Sequence, residues 1–369
     1  MKPAQDLLQE RKTRIRRAIA LEKNDRTPVI LMMDAFCARQ QGVLLADFTS
    51  SLERAHEVML AQAGRMGDFD AMETSTCAGP LALPLAFMSG IRMPGRELPP
   101  DAMWQIDEAE RLSIEDYDRI LAQGWPSFFA AYMKRHFNTD VGEVYAQLAT
   151  TGRYIASFEA NGYAVYTPTV LTTVTDALAG GRSMSKFMRD LYKIPDKVEA
   201  VLDVMLEAQV KMIPELVRRT RAEVLFVSPA RGASAFFAPR LWERFIWKYL
   251  KGLCEAIIAE GVVANIHADG NWERDLDFFR SLPRGKFVFE ADHGTDMRKL
   301  KEKLGDWCCI KGDVPAALLS CSTPDEVYDY CVNLMKDMGD GHILASGCSI
   351  PDDAKFENVR AMVSAAAGQ

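Results

Sequence analysis

Six polar side chains stand at or just beyond the ends of apolar runs in the second half of this chain. His267 and Asp269 close GVVANIHAD, Glu290 and Asp292 close KFVFEAD, Asp313 follows CCIKG, and Cys348 follows HILASG. A neutral imidazole, a carboxylate and a thiolate are ligands for a divalent ion, zinc first among them. His267 and Asp269 are two apart, so on an extended chain both point to the same side. Cys348 would have to reach them from a strand about 80 residues further on. Three protein ligands leave the open position that a catalytic zinc needs. A displaceable fourth carboxylate is expected from Glu73, Glu290 or Asp292. Taken singly, each residue has a plainer reading: a lone His satisfied in a core, a small buried Cys, an Asp313 capping the next helix. Only their joint position at strand ends argues for chemistry.

The elements that must bring them together are short. Each apolar run has the length and β-branched content of a buried strand, and helix-length segments separate the runs. Five such strands follow from Ala222 onward, and Val29–Met33, Asp70–Met72 and Tyr163–Val170 add three before it. Eight strand–helix units predict an α/β fold of the (β/α)8 TIM-barrel type, in which all strand C-terminal ends share one face. The chain is expected to be a single barrel domain over 1–369, with an N-terminal helical extension at 1–25 and an irregular, partly helical insertion at 80–140. An open doubly wound sheet is the rival. It is disfavoured because the first strand runs into MMDAFCARQQG, without a glycine-rich dinucleotide turn. Leu8, Ile15 and Ile19 have the spacing of a surface helix. Thr323, Pro324 and Glu326 spell a capped helix start. The Pro- and Gly-rich stretch 80–125 reads as loop with short elements, and Trp242, Phe245, Trp247 and Leu250 as one face of a helix over 240–259.

Composition narrows the function classes. With 369 residues, 48% of them hydrophobic and 26% charged, the chain can bury a large core and is not disordered in bulk. A net charge of -7 argues against a general nucleic-acid binder. No stretch has the length or apolarity of a membrane span, and the start lacks a signal-peptide core, so a cytoplasmic protein with no membrane partner is expected. The eight cysteines form no CxxC pair and are expected as thiols.

Longer stretches carry a family likeness. GHILASGCSIPDDAKFENVRAMVSAA resembles the C-terminal signature of the uroporphyrinogen decarboxylase superfamily. KGDVPAALLSCSTPDEV and SPARGASAFFAPRLWERFIWKYLKGL resemble its preceding strand–helix unit and its middle. The decarboxylases themselves carry an Arg-Gln-Ala-Gly-Arg type segment after the first strand. Here Met33-Asp34-Ala35-Phe36 stands in that neighbourhood, and Arg39-Gln40-Gln41-Gly42 is a faint echo. The zinc methyltransferase branch uses His-x-Cys after one strand and a Cys after the last. His267 and Cys348 match that pattern, and Asp269 replaces the middle Cys.

The resemblance implies Zn2+ held by His267, Asp269 and Cys348, with Glu73 or Glu290 as a further ligand. It also implies methyl exchange with a corrinoid carried by a partner protein. A carboxylate in place of a thiolate makes the ion a harder Lewis acid. That favours a small methylated substrate of the methyl-ether class, whose methyl passes to a Co(I) corrinoid. Asp34 is a candidate substrate contact. Phe236, Phe237 and Trp272 are candidate walls on the cofactor side, and Asp313 a candidate contact there. The alternatives are transfer from methylcorrinoid to a thiol, a metal-free decarboxylase, and a non-catalytic corrinoid-binding relative. The oligomeric state is left open, a homodimer included.

Overall fold

The apolar runs pair in the order in which they occur. The computed structural model describes residues 2–74 and 79–368, and the backbone alone for 79–82; Cys77, expected beyond the second strand, lies outside the described residues. Strands β1 (Ile30–Leu31) and β2 (Ala71–Met72) come first, followed by a small antiparallel hairpin of β3 (Gly90–Arg92) and β4 (Gln105–Asp107). Then come β5 (Ala164–Val165), β6 (Val170–Thr172), β7 (Val224–Ser228), β8 (Val263–Ala268), β9 (Phe287–Ala291), β10 (Cys309–Lys311) and β11 (His342–Ile343). All but the hairpin pair in parallel, as β1-β2-β5 and as β11-β10-β9-β8-β7-β6. The two sheets join where Val29 bridges Leu344 in parallel and the Ile30 amide donates to the Leu344 carbonyl at 3.0 Å. They join again through the chain between β5 and β6, which meets β2 on one side and β7 on the other. Pro168, which has no amide hydrogen, separates these halves of what the sequence presents as one strand. The result is the α/β barrel expected from the strand rhythm.

The lower end of the barrel is closed by the helix Ala4–Ile19. Its Leu8, Ile15, Ala18 and Ile19 pack in one buried cluster with Ile30, Ala71, Ala164, Val288, Cys309 and Ile343. This corrects the surface-helix expectation: the apolar stripe covers the open strand ends. Buried Asp70 binds Arg14 and Arg26 there and accepts the Val29 amide at 2.9 Å, fixing the entry into β1.

Three other elements depart from expectation. Gly79–Phe87, read as loop for its prolines, is helical with Pro84 inside. The helix expected over 240–259 carries a π segment at Glu243–Trp247, where the Thr175 hydroxyl donates to the Phe245 carbonyl at 2.7 Å. The expected aromatic face there is nonetheless buried as a unit, Trp242, Phe245, Trp247 and Leu250 included. The helix-length segment between β8 and β9, Glu273–Ser281, is 3-10 rather than α. The helix Pro324–Met338 starts with the reciprocal Thr323–Glu326 cap that its sequence spells. No helix among the described residues is long and apolar enough to cross a membrane.

Candidate metal centre

Parallel pairing sets His267 beside Glu290, and Glu290 beside Lys311, on three neighbouring strands. All three are buried, so a row of ionisable groups crosses the inside of the barrel at one level. Asn265 lies two residues before His267 on the same side of β8, and Asp269 two residues after it. Cys348 comes down from the loop after β11. One donor atom each from His267, Asp269 and Cys348 lies within 4.8 Å of the others. His267 Nε2 is 3.1 Å from Asp269 Oδ1, and its Nδ1 is 3.1 Å from Glu290 Oε1. Burial grades across the group: His267 is buried, Asp269 half-buried and Cys348 exposed.

The loops carrying Asp269 and Cys348 are located by backbone contacts. Asp292 accepts from the Gly270 amide and from the Gly294 amide, each at 2.7 Å. Both of its oxygens are therefore used in holding loops, and it is not placed as a ligand. A Cβ on Gly294 would lie 2.6 Å from the Gly270 backbone, and one on Gly347 would lie 2.8 Å from the Asp292 backbone. The loops after β8, β9 and β11 thus touch main chain to main chain. Trp272 is buried against Trp242 and Phe279, and its Nε1–H donates to the Asp269 carbonyl at 2.8 Å. It positions Asp269 and does not wall the cavity.

Behind His267 runs a buried polar chain. Lys311 Nζ lies 2.6 Å from Glu290 Oε1 and also contacts Glu73. Glu73 accepts from the Thr167 hydroxyl at 3.2 Å. Asn265 donates to Glu290 Oε2 and accepts from the Tyr166 hydroxyl at 3.0 Å. Glu73 and Glu290, expected as further ligands, are thus engaged with Lys311 and lie outside the His267, Asp269 and Cys348 donor group.

Burial opposes charge on His267. Glu290 beside it, with Asp269 and Cys348, outweighs this and holds its pKa well above the ordinary value. Burial would likewise raise Glu290, but Lys311 and His267 hold it below the usual carboxylate range. Glu73 is raised, chiefly by burial, with Lys311 opposing. Burial acts against the Lys311 ammonium too, and Glu290 and Glu73 more than offset it.

This arrangement suits a divalent cation. Nitrogen, oxygen and sulfur donors converge at an open cavity. The far ring nitrogen faces a carboxylate, the usual device for orienting a metal-binding imidazole. The carboxylates that favour a proton on His267 also favour a metal cation beside it, which binds once the ring has released that proton.

The cavity above the group has a volume of about 450 Å³, and its lining includes Asp34, Phe87, Trp104, Phe226 and Ile350. Asp34 opens the helix Asp34–Gln40 and lies 3.5 Å from the Ser349 hydroxyl. The Phe226 ring stacks on the His267 ring at 5.1 Å between centroids. The expected aromatic walls are elsewhere. Phe236 is on the surface, Phe237 is in the core, and neither they nor Trp272 line the cavity. Asp313 binds His293 Nδ1 at 3.0 Å and the Tyr330 hydroxyl at 2.9 Å; it neither lines the cavity nor caps the following helix, whose N-cap is Pro315. Phe87, Trp104, Phe226 and Lys311 were not singled out from the sequence. A Lys in the middle of the apolar run CCIKG was the available signal for the last of these.

The family pattern for uroporphyrinogen decarboxylase (URO-D) matches residues 168–368, more than half of the chain. The chain belongs to the URO-D family. A curated URO-D relative, the uroporphyrinogen decarboxylase of Aliarcobacter butzleri (strain RM4018), is 28% identical over 181 residues. That match covers 46% of this chain and 45% of the relative, so the chain spans less than half the length of the curated protein it matches. Among solved structures, a methyltransferase from Methanosarcina mazei superposes with a TM-score of 0.74 at 19% identity. The superposition covers 97% of this chain and 98% of the other. This likeness shows a shared URO-D-type barrel fold.

Proposed function

We propose that the chain is a zinc-dependent methyltransferase that removes the methyl group of a methyl ether, aromatic ethers included, and passes it to the Co(I) corrinoid of a partner protein. The observation that carries this reading is the character of the cavity. A mixed N, O, S donor group opens into a largely apolar chamber whose charged lining residues are Asp34, Asp269 and Asp352, with no Lys or Arg among the described ones. No ammonium or guanidinium group among the described lining residues is there to pair with the carboxylates of a polyacid. A neutral ether needs none.

Zinc held by His267, Asp269 and Cys348 would supply Lewis acidity at the ether oxygen, easing its departure with the bonding pair. The chain's own residues do the rest. Glu290, held by Asn265 and Lys311, keeps the Nδ1 side of His267 occupied and turns Nε2 toward Asp269. The loop contacts at Gly270, Gly294 and Gly347 fix the spacing of Asp269 and Cys348. Phe226 packs on the imidazole, and Phe87 and Trp104 give the ligand an apolar seat and keep water away. Breaking the C–O bond transfers the methyl carbon to the acceptor, and the oxygen leaves as an alcohol or phenol once protonated. The strand C-terminal face is the side on which the partner would dock.

The test is elemental analysis for zinc combined with methyl transfer from aryl methyl ethers to a Co(I) corrinoid. His267→Ala and Cys348→Ala should each lose zinc and turnover while circular dichroism is unchanged. Full zinc content and unchanged transfer in both variants would overturn the assignment.

A further inference from the structure

The inserted hairpin of β3 and β4 reaches from the β6–β7 side of the barrel to the β1 side. It is rooted at Arg111 and Leu112, whose amides donate to the Gly181 carbonyl at 2.9 and 2.8 Å, and at Glu108, which binds Arg231 on the loop after β7 at 2.8 Å. Its tip, residues 93–104, rests on the two short helices that follow β1, Asp34–Gln40 and Leu45–Phe48. There Arg39 binds the Asp101 carboxylate and, at 2.7 Å, the Asp101 carbonyl. The Ala46 amide donates to the Pro100 carbonyl at 2.8 Å, and the rings of Phe48 and Trp104 stack at 6.5 Å between centroids. Met103 and Trp104 of the tip line the cavity above the metal centre. The tip is thus part of the cavity's roof, while the metal side, where Cys348 is exposed, is left open.

Little holds this tip down. Of residues 91–110 only Pro94 is buried, so the hairpin adds almost nothing to the core. Among the described residues, one main-chain hydrogen bond joins 93–104 to the rest of the chain, from Ala46, and one ion pair, Arg39 with Asp101. A segment with so few buried contacts opens locally at far less cost than the barrel unfolds. Met103 is exposed on one side and lines the cavity on the other, so the roof there is one residue thick. Arg39 also binds Asp352, four residues after Cys348, at 3.0 Å. The guanidinium therefore keeps a carboxylate when the tip lifts, which lowers the cost of lifting.

We infer that residues 93–104 are a strap that lifts to pass the small substrate and its product, with Arg39 as the latch. The inference rests on the proposed methyl transfer, in which a corrinoid protein covers the open side over Cys348: the small molecule then needs an entrance of its own. Lifting breaks the Ala46–Pro100 hydrogen bond and the Arg39–Asp101 pair. Bonds inside the hairpin, such as that from the Leu98 amide to the Met93 carbonyl at 3.0 Å, stay formed, and so does the helix Leu45–Phe48.

Residue-resolved hydrogen exchange on the intact, zinc-free protein reads the lifting. Arg39→Met and Asp101→Ala should each speed exchange of the Ala46 amide about threefold, the worth of one exposed ion pair. The Phe48 amide, which donates to the Leu44 carbonyl at 2.9 Å within its own helix, should not change. The entrance is read by stopped-flow fluorescence of 2-methoxynaphthalene. Both variants should raise its association and dissociation rates together, about threefold, and leave the affinity unchanged, because a gate alters the barrier and not the bound state. Ala46 exchange that stays the same, or that moves equally with Phe48, would overturn the strap. Ligand rates unaltered in both variants, or no binding of the ether to the parent protein, would overturn the entrance. None of these measurements needs zinc, corrinoid or turnover. Methyl transfer with unaltered ligand rates would keep the reaction and lose the strap, and the rate changes without methyl transfer would do the reverse.

Discussion

Lys311→Met tests the buried row behind the metal centre. Lys311 is 1% exposed and lies between Glu73 and Glu290, both fully buried. Methionine has a similar reach, so the substitution removes charge more than volume. Glu73 is then left inside the barrel without its cation, and Glu290 with His267 alone. Breaking a buried ion pair from one side costs about 3–5 kcal/mol, and that is the expected loss in urea unfolding near pH 8. The pH dependence follows from the direction of the shifts. In the parent, Glu290 is held below its usual value, so its contribution is present above about pH 4.5 and is lost as pH falls through its folded value. In the variant Glu73, already raised by burial, loses the ammonium that opposed the rise, and Glu290 keeps only His267 against the effect of burial, so both folded values move up. Protonation then relieves the strain, so the deficit should shrink as pH falls from about 8 to about 5. The unfolding series uses EDTA-treated protein, so that metal occupancy does not enter. Adding Glu73→Gln removes one orphaned charge and should recover part of the loss. A deficit below about 1 kcal/mol, one equal at both pH values, or one untouched by the second substitution would refute the reasoning.

Four further outcomes are expected. Glu290→Gln removes the carboxylate facing His267 Nδ1 and should weaken zinc binding about 10- to 100-fold, read by competition with a chromogenic chelator. Asp269→Cys should retain zinc but slow transfer from ethers relative to thioethers, because a thiolate ligand leaves the ion less acidic; identical ratios would refute that ligand argument. Gly347→Ala places a Cβ against the Asp292 backbone and should lower zinc content with little change in far-UV circular dichroism. Asp70→Ala strips Arg14 and Arg26 of a shared buried partner at the closed end of the barrel. About 3 kcal/mol of stability should be lost in urea unfolding while the zinc content of the folded protein is retained.

The barrel was legible because buried parallel strands announce themselves as uninterrupted apolar runs, and because the runs that form β8 to β11 are each followed closely by a polar residue. His267, Asp269 and Cys348 came to attention for the same reason, and parallel topology alone brings their ends to one face. What stayed hidden depends on contacts between distant segments. Trp272 follows a strand just as Asp269 does, yet it turns onto Trp242 of the 240–259 helix, which no local pattern encodes, and Phe236 turns to the surface while Phe237 is buried in the core. Lys311 went unmarked because a single Lys in a short strand reads as an edge position until Glu73 and Glu290 are seen to flank it. The helix Gly79–Phe87 was masked by its prolines.

The glycine contacts among the loops after β8, β9 and β11 have a consequence for how such a centre can be altered. Because those loops meet without side chains between them, lengthening or re-angling one would collide with the next. Chemical variety at this mouth is therefore cheapest as a swap of the terminal atoms at positions such as 269, on an unmoved frame. Re-engineering the reaction should start from the donor atoms and leave the loop lengths alone.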